Sequence, residues 1–163
     1  MTRILVLVAP GEPPLPGLES LPSGIELTTV STEAELRKHL PKTDILVVTD
    51  FRTGLLESCW PAQHSIKWVH ATSAGVDALL FPALVESDLL LTNARGVFDL
   101  GIAEYVLGAV LLFAKDTLGN LRYQRAHQWQ HRETDLISGK QALVIGAGSI
   151  GGEVARLLSA LGL

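Results

Sequence analysis

The sequence predicts an α/β fold with a parallel sheet, and three observations predict it. Short, continuously apolar runs recur from Arg3 to Thr92, segments of helical spacing lie between them, and a glycine-patterned turn joins the last apolar run to a helix. Strands that are apolar throughout, rather than alternating, imply a sheet covered by helices on both faces.

The elements follow in order. Arg3 to Val8 (RILVLV) reads as a buried strand, followed by a loop from Pro10 to Gly24 that holds five of the eight prolines and is too proline-rich for regular structure. Ile25 to Val30 is a second strand. Ser31 or Thr32 caps a helix from Glu33 to Leu40, where Thr32 with Glu35 makes a capping box. Asp44 to Thr49 (DILVVT) is a third strand, Arg52 to Cys59 a short helix, and Ile66 to His70 a fourth strand. Ala78 to Ser87 is helical but broken at Pro82, and Leu89 to Thr92 is a fifth strand. Asp99 to Lys115 is a long helix, apolar nearly all round with Glu104 as its internal charge, so it predicts burial on every side and a partner for that carboxylate. A polar helix from Leu118 to Trp129 and a charged link (His131, Arg132, Glu133, Asp135) lead to Leu136–Lys140. A boundary near Asn93 to Asp99 divides the chain into 1–95 and 96–163.

The most informative stretch is Gln141 to Leu161. Ala142 to Ile145 reads as a buried parallel strand, and Ile150, Val154, Leu157, Leu158 and Leu161 recur at helical spacing. Between them Gly146, Gly148 and Gly151 form G-x-G-x-x-G. The first glycine suits a tight turn, the second a close approach by a pyrophosphate, and the third close packing of helix on strand, with the helix N-terminus offering free N–H groups to the phosphates. This strand–glycine–helix order points to dinucleotide binding. The acidic or basic residue that reads the ribose usually lies about 20 residues past the glycines. Only twelve residues follow Gly151, so the expectation is the N-terminal portion of a longer protein.

Composition narrows the classes. With 47% apolar residues and a mean hydropathy of +0.31, the chain can bury a substantial core. A net charge of −4 gives no electrostatic footprint for nucleic acid or an anionic membrane. Cys59 is the single cysteine, which excludes an internal disulfide, and no Cys/His spacing suggests a metal site. Met1 to Ala9 is too short and too weakly charged for a signal peptide, and Tyr105 to Ala114 is too short to span a bilayer. A cytoplasmic location is expected.

In parallel sheets, ligands bind at the carboxyl ends of strands. Two such ends stand out, Thr72–Asp77 and Asn93–Gly96. The first offers consecutive backbone N–H groups around Gly75 that suit a carboxylate or phosphate, with Asp77 placed to cap the next helix. A Ser/His/Asp arrangement of His70, Ser73 and Asp77 is disfavoured, because no G-x-S-x-G turn accompanies it. His39, His64, His127 and His131 have no motif around them; Gly139-Lys140 lacks the P-loop Ser or Thr. Arg95 suits either an anion or Glu104, Cys59 suits packing, and Trp129 suits an interface.

Taken together, ATSAGVD, TNARG, IAEYVLGAVLLFAK and the run from LISGK through ALVIGAGSIG resemble the D-isomer-specific 2-hydroxyacid dehydrogenases, particularly the glyoxylate/hydroxypyruvate reductase-like branch. The likeness runs from about Ile66 to Leu163. It implies a flavodoxin-like parallel-sheet substrate (lid) domain in 1–95, followed from 96 to 163 by the beginning of a Rossmann-like NAD(P)-binding domain. It implies that Ser73, Ala74, Gly75 and Val76 hold the carboxylate of a small 2-oxo or 2-hydroxy acid, and that Gly146, Gly148, Ser149, Ile150 and Gly151 cradle the pyrophosphate of NAD or NADP. It suggests a homodimer through the helix of residues 99–115. The family's catalytic arginine, acidic residue and histidine lie further along than Leu163, so no catalytic residue falls within the chain and 1–163 alone is expected to be inactive. Phe98 stands where many relatives carry a small polar residue. The same resemblance includes noncatalytic, corepressor-like proteins that sense dinucleotide, which is the alternative reading.

Overall fold

The computed structural model describes residues 1–13, 15–49 and 54–163. The chain divides into two compact units, Met1–Arg95 and Gly96–Leu163, and each is described by itself.

The first unit is a five-stranded parallel sheet: β1 (Thr2–Leu7), β2 (Ile25–Val30), β3 (Ile45–Val48), β4 (Trp68–Ala71) and β5 (Leu90–Asn93), in the order β2-β1-β3-β4-β5. Register follows the apolar pattern. Leu5 pairs with Leu46, Leu46 with Val69 and Val69 with Leu91, which sets these side chains on one face. The helices α1 (Glu33–His39), α2 (Gly54–Cys59) and α3 (Pro82–Val85) bury Leu36, Leu56, Cys59 and Leu84 in the core cluster of that same face. Helix α1 starts as its capping box requires, with Thr32 Oγ1 accepting from the Glu35 amide and Glu35 accepting from the Ser31 amide.

The opposite face departs from expectation. Val6 is buried there, but Ile4, Ile45 and Val47 are only half-buried, and Trp68 and Leu90 are exposed. The connection from β1 to β2, where a covering helix would fall, is the proline-rich loop, and its regular structure among the described residues is a 3-10 turn at Leu18–Ser20. Pro14 lies outside the described residues, as do Arg52 and Thr53, the first two positions of the helix expected to end at Cys59. The segment expected to be helical from Ala78 resolves into a 3-10 turn at Asp77–Leu79 and the one-turn α3. Pro82 opens α3 at its first turn, where its missing N–H costs nothing, rather than breaking a helix.

The second unit contains α4 (Asp99–Ala114), α5 (Thr117–Arg125) and α6 (Ser149–Ala160). Its core is the contact of α4 with α6, in which Ala103, Val106, Leu107 and Val110 meet Ile150, Val154, Leu157 and Leu158. Both stripes follow i, i+3/i+4, i+7 spacing. The rest of α4 is uncovered: Tyr105 and Phe113 are each 77% exposed, and Glu104 lies at the surface, where it needs no buried partner. The expected all-round burial is therefore confined to one stripe. Helix α5 ends at Arg125, four residues short of expectation, because His127 takes a left-handed φ of 51°; Trp129 beyond it is 94% exposed.

The expected strand at Ala142–Ile145 is absent as a strand. The segment carries no ladder, and Leu143 and Ile145 are 87% and 92% exposed. A strand exists through hydrogen bonds to a neighbour, and no neighbouring strand occurs in this unit among the described residues. No helix among the described residues is long and apolar enough to cross a membrane.

Candidate functional site

Two groups of backbone amides fall at residues singled out in the sequence, one in each unit, and each is described by itself. The first follows β4. Within Ser73–Val76, no amide donates a hydrogen bond to an acceptor among the described residues, so with respect to those residues all four N–H groups are unpaired. Their carbonyls and side chains, by contrast, are occupied. Ser73 Oγ donates to the Gly75 carbonyl at 2.6 Å, Asn93 Nδ2 donates to the Ala74 carbonyl at 2.6 Å, and the Ala94 amide donates to the Ser73 carbonyl at 3.0 Å. Consecutive unpaired backbone N–H groups of this kind are the chemistry an anion would need, and the Asp77 carboxylate lies nearby, 3.4 Å from where a Gly75 Cβ would stand. Asn93, at the end of β5, is the member that motif reading did not single out by itself. Asp77 does not cap as expected: it is the first residue of the 3-10 turn, whose N-cap is Val76, and no side-chain cap bond forms there.

His70, Ser73 and Asp77 form no relay. Thr92 Oγ1 accepts from Trp68 Nε1 at 2.8 Å and pairs with His70 Nδ1 at 2.9 Å, while Ser73 is bound to Gly75. His64 stacks edge-on against Trp60 with ring centroids 5.3 Å apart. Cys59 is buried in the core, as packing predicts. Among the described residues no cluster of His, Cys, Asp and Glu is suited to a metal ion.

The second group is the glycine turn before α6. Gly146 has φ +92°, a left-handed conformation that side chains resist. At Gly151 a Cβ would lie 1.9 Å from the Gly146 carbonyl oxygen and 3.4 Å from Val144 Cγ1, so the helix touches the incoming chain directly. Around Gly148, nothing lies within 4 Å of where a Cβ would stand, which leaves open space beside the backbone. Gly148 is also the N-cap of α6, and no side chain caps it. The amides of Ser149, Ile150 and Gly151 donate to no acceptor among the described residues, while Gly152 begins the helical bonding by donating to the Gly148 carbonyl at 2.8 Å. A turn of this shape fits a pyrophosphate: free N–H groups, the positive end of a twelve-residue helix dipole, and room for close approach.

Two charged groups adjoin this turn. Glu153 is held by Arg156 through contacts of 2.6 and 2.9 Å, and that hydrogen bonding holds its carboxyl below the usual carboxylate range and ties its charge to a guanidinium. Ser149 Oγ donates to a carboxylate oxygen of Asp99, the first residue of α4. Nothing in the local pattern marks Asp99, because the contact joins residues fifty positions apart.

Residues 107–163 match the family described as D-isomer specific 2-hydroxyacid dehydrogenase, NAD binding domain. The D-3-phosphoglycerate dehydrogenase of Methanocaldococcus jannaschii is 26% identical over an alignment covering 100% of this chain and 31% of that protein. A D-isomer specific 2-hydroxyacid dehydrogenase family protein from Klebsiella pneumoniae 342 is 26% identical with a TM-score of 0.71, covering 99% of this chain and 50% of the other. Another, from Aeromonas salmonicida subsp. salmonicida A449, shares the fold with a TM-score of 0.79 at 22% identity, covering 100% of this chain and 52% of the other. The chain thus spans about a third of that curated relative and about half of the two solved ones.

Proposed function

Starting from its kinship with the D-isomer specific 2-hydroxyacid dehydrogenases, we propose that this chain is part of an NAD(P)-dependent oxidoreductase that interconverts a small 2-oxo acid and its D-2-hydroxy acid. The observation that carries the proposal is the turn at Gly146–Gly151, where direct backbone contact and an open, uncapped helix end coincide. Residues 96–163 would hold the dinucleotide, with Gly146, Gly148, Ser149, Ile150 and Gly151 around its pyrophosphate. When bound, the nicotinamide supplies or accepts a hydride. Residues 1–95 would hold the substrate, its carboxylate taking the free amides of Ser73, Ala74, Gly75 and Val76 in place of water. A receptor made of backbone N–H groups fixes the position of a carboxylate without a charged side chain, so the reacting carbonyl is oriented by geometry rather than by a mobile cation. No residue within 1–163 is assigned a catalytic role in this reading. The exposed Tyr105 and Phe113 face of α4 supports a homodimer through residues 99–115.

The test is a screen of the full-length protein with NADH or NADPH against 2-oxo acids, glyoxylate and hydroxypyruvate included, following loss of the reduced nicotinamide. Turnover with at least one acid is expected, and none from residues 1–163 alone. Dinucleotide binding without turnover on any acid would refute the enzyme and leave a noncatalytic dinucleotide sensor. Sedimentation of the full-length protein as a monomer would refute the dimer.

A further inference from the structure

The second unit brings the N-termini of two helices together. Asp99 opens α4 and Ser149 opens α6, and the two side chains are hydrogen-bonded. Neither helix has a capping side chain of its own, since Phe98 and Gly148 occupy the N-cap positions without a cap bond, and α6 has no acidic residue in its first turn. Asp99 therefore supplies, from a different helix, the negative charge that the start of α6 lacks.

This placement has a consequence for an anionic ligand. A pyrophosphate seated on the amides of Ser149, Ile150 and Gly151 would meet a carboxylate already hydrogen-bonded to Ser149. It would be repelled by that charge, and the Ser149 hydroxyl would be turned away from it. We propose that Asp99 is an affinity-setting residue for the dinucleotide: it weakens binding by charge repulsion and by withholding the Ser149 hydroxyl, and so favours cofactor release. The inference rests on the glycine turn being the pyrophosphate site.

Arithmetic limits the effect. A unit charge a few ångströms from a phosphate, with water screening the pair as in bulk, changes affinity by about threefold to tenfold. Asp99→Asn removes the charge and also lets the Ser149 hydroxyl turn toward the phosphate, so the Kd for NADH or NADPH should fall by at least that factor. The Ser149 hydroxyl supplies a second readout through a double-mutant cycle. In the parent protein Ser149→Ala should change Kd little, because the hydroxyl is already engaged. In the D99N background, the same change should weaken binding by roughly tenfold, the lower end of what one hydrogen bond to a charged group contributes.

The experiment is a calorimetric or fluorescence titration of the full-length protein with NADH and NADPH, for the parent, D99N, S149A and the double variant. Asp99→Ser serves as a second charge removal should D99N fold poorly. Tighter binding in D99N or D99S, together with a non-additive cycle, supports the inference. Unchanged or weaker binding in both, with the parent still binding, overturns it and leaves the cofactor reading standing. No dinucleotide binding by the parent and by the charge-removal variants alike overturns the cofactor reading and this inference with it.

Discussion

Replacing Gly151 by alanine tests the glycine turn most directly. The added methyl carbon would stand 1.9 Å from the Gly146 carbonyl oxygen and 3.0 Å from its carbonyl carbon. Both partners are backbone, so no flexible side chain can move aside. An ordinary carbon–oxygen contact is about 3.3 Å, and restoring it requires α6 to lift from the turn by roughly 1.4 Å. Overpacking of this kind costs about 1–3 kcal/mol. The same displacement carries the amides of Ser149 and Ile150 away from a bound phosphate, and a misplacement of this size costs on the order of a hundredfold in function. Gly148→Ala is the control. Its Cβ would meet nothing within 4 Å, and its φ of −73° suits alanine. That methyl would nonetheless fill the open space in which the proposal seats the pyrophosphate. Thermal unfolding and dinucleotide titration of the full-length protein should therefore separate the two variants. G151A loses both stability and binding, whereas G148A loses binding and keeps its melting temperature. Full binding by G148A would refute the assignment of that space to the pyrophosphate, and an unperturbed G151A would refute the contact itself.

Three further outcomes are expected. Asp44 accepts from the Arg3 amide at 2.8 Å and from Arg3 Nε at 3.2 Å, chiefly the amide bond and then the guanidinium holding its carboxyl below the usual range. Because the native value is depressed, the stabilisation is full above the unfolded value of about 3.9 and is lost as pH falls through the native one. Asp44→Asn should accordingly lower stability at neutral pH and flatten the acid limb of a denaturation profile; identical limbs would refute this. Asn93→Ala removes the 2.6 Å bond to the Ala74 carbonyl and should raise KM for the 2-oxo acid in the full-length enzyme without moving the dinucleotide Kd, as steady-state kinetics and titration would show. Thr32→Ala deletes the α1 cap and should cost about 1 kcal/mol in urea denaturation, while an unchanged midpoint would deny the cap its role.

The five strands of the first unit are legible because each is a short apolar run whose ladder partners lie within the same unit, so pattern and pairing agree. Ala142–Ile145 carries the same kind of pattern without the pairing. An apolar, β-branched run states what a segment would bury in a sheet; the ladder comes from other strands, and here Leu143 and Ile145 face solvent. Helix α4 repeats the lesson, since its composition announces burial on all sides while α6 covers one stripe. The proline at position 82 was legible as punctuation, but not in sign: a proline that ends one pattern can equally open the next helix. Asp99 was legible only as a helix start, because a contact between two helix N-termini is set by helix packing and leaves no trace in local spacing.

Why the turn before α6 keeps its shape although the segment before it lacks a ladder follows from how both ends of α6 are tied. At the start, Gly151 rests on the Gly146 carbonyl. At the end, Gly162 adopts φ +86°, its amide donates to Ser159 at 3.0 Å and the Leu163 amide donates to Leu158 at 3.3 Å, a Schellman arrangement. The Gly162 carbonyl then accepts from the Gly139 amide at 2.7 Å, which joins the end of α6 to the turn that precedes residues 141–145. Helix and incoming chain are thus clamped at both ends by backbone contacts that only glycine allows at positions 151 and 162. The free amides that the proposed cofactor would use are therefore held by residues 138–163 themselves. Neighbouring strands would add stability to this unit, but the direction in which those amides point is already set.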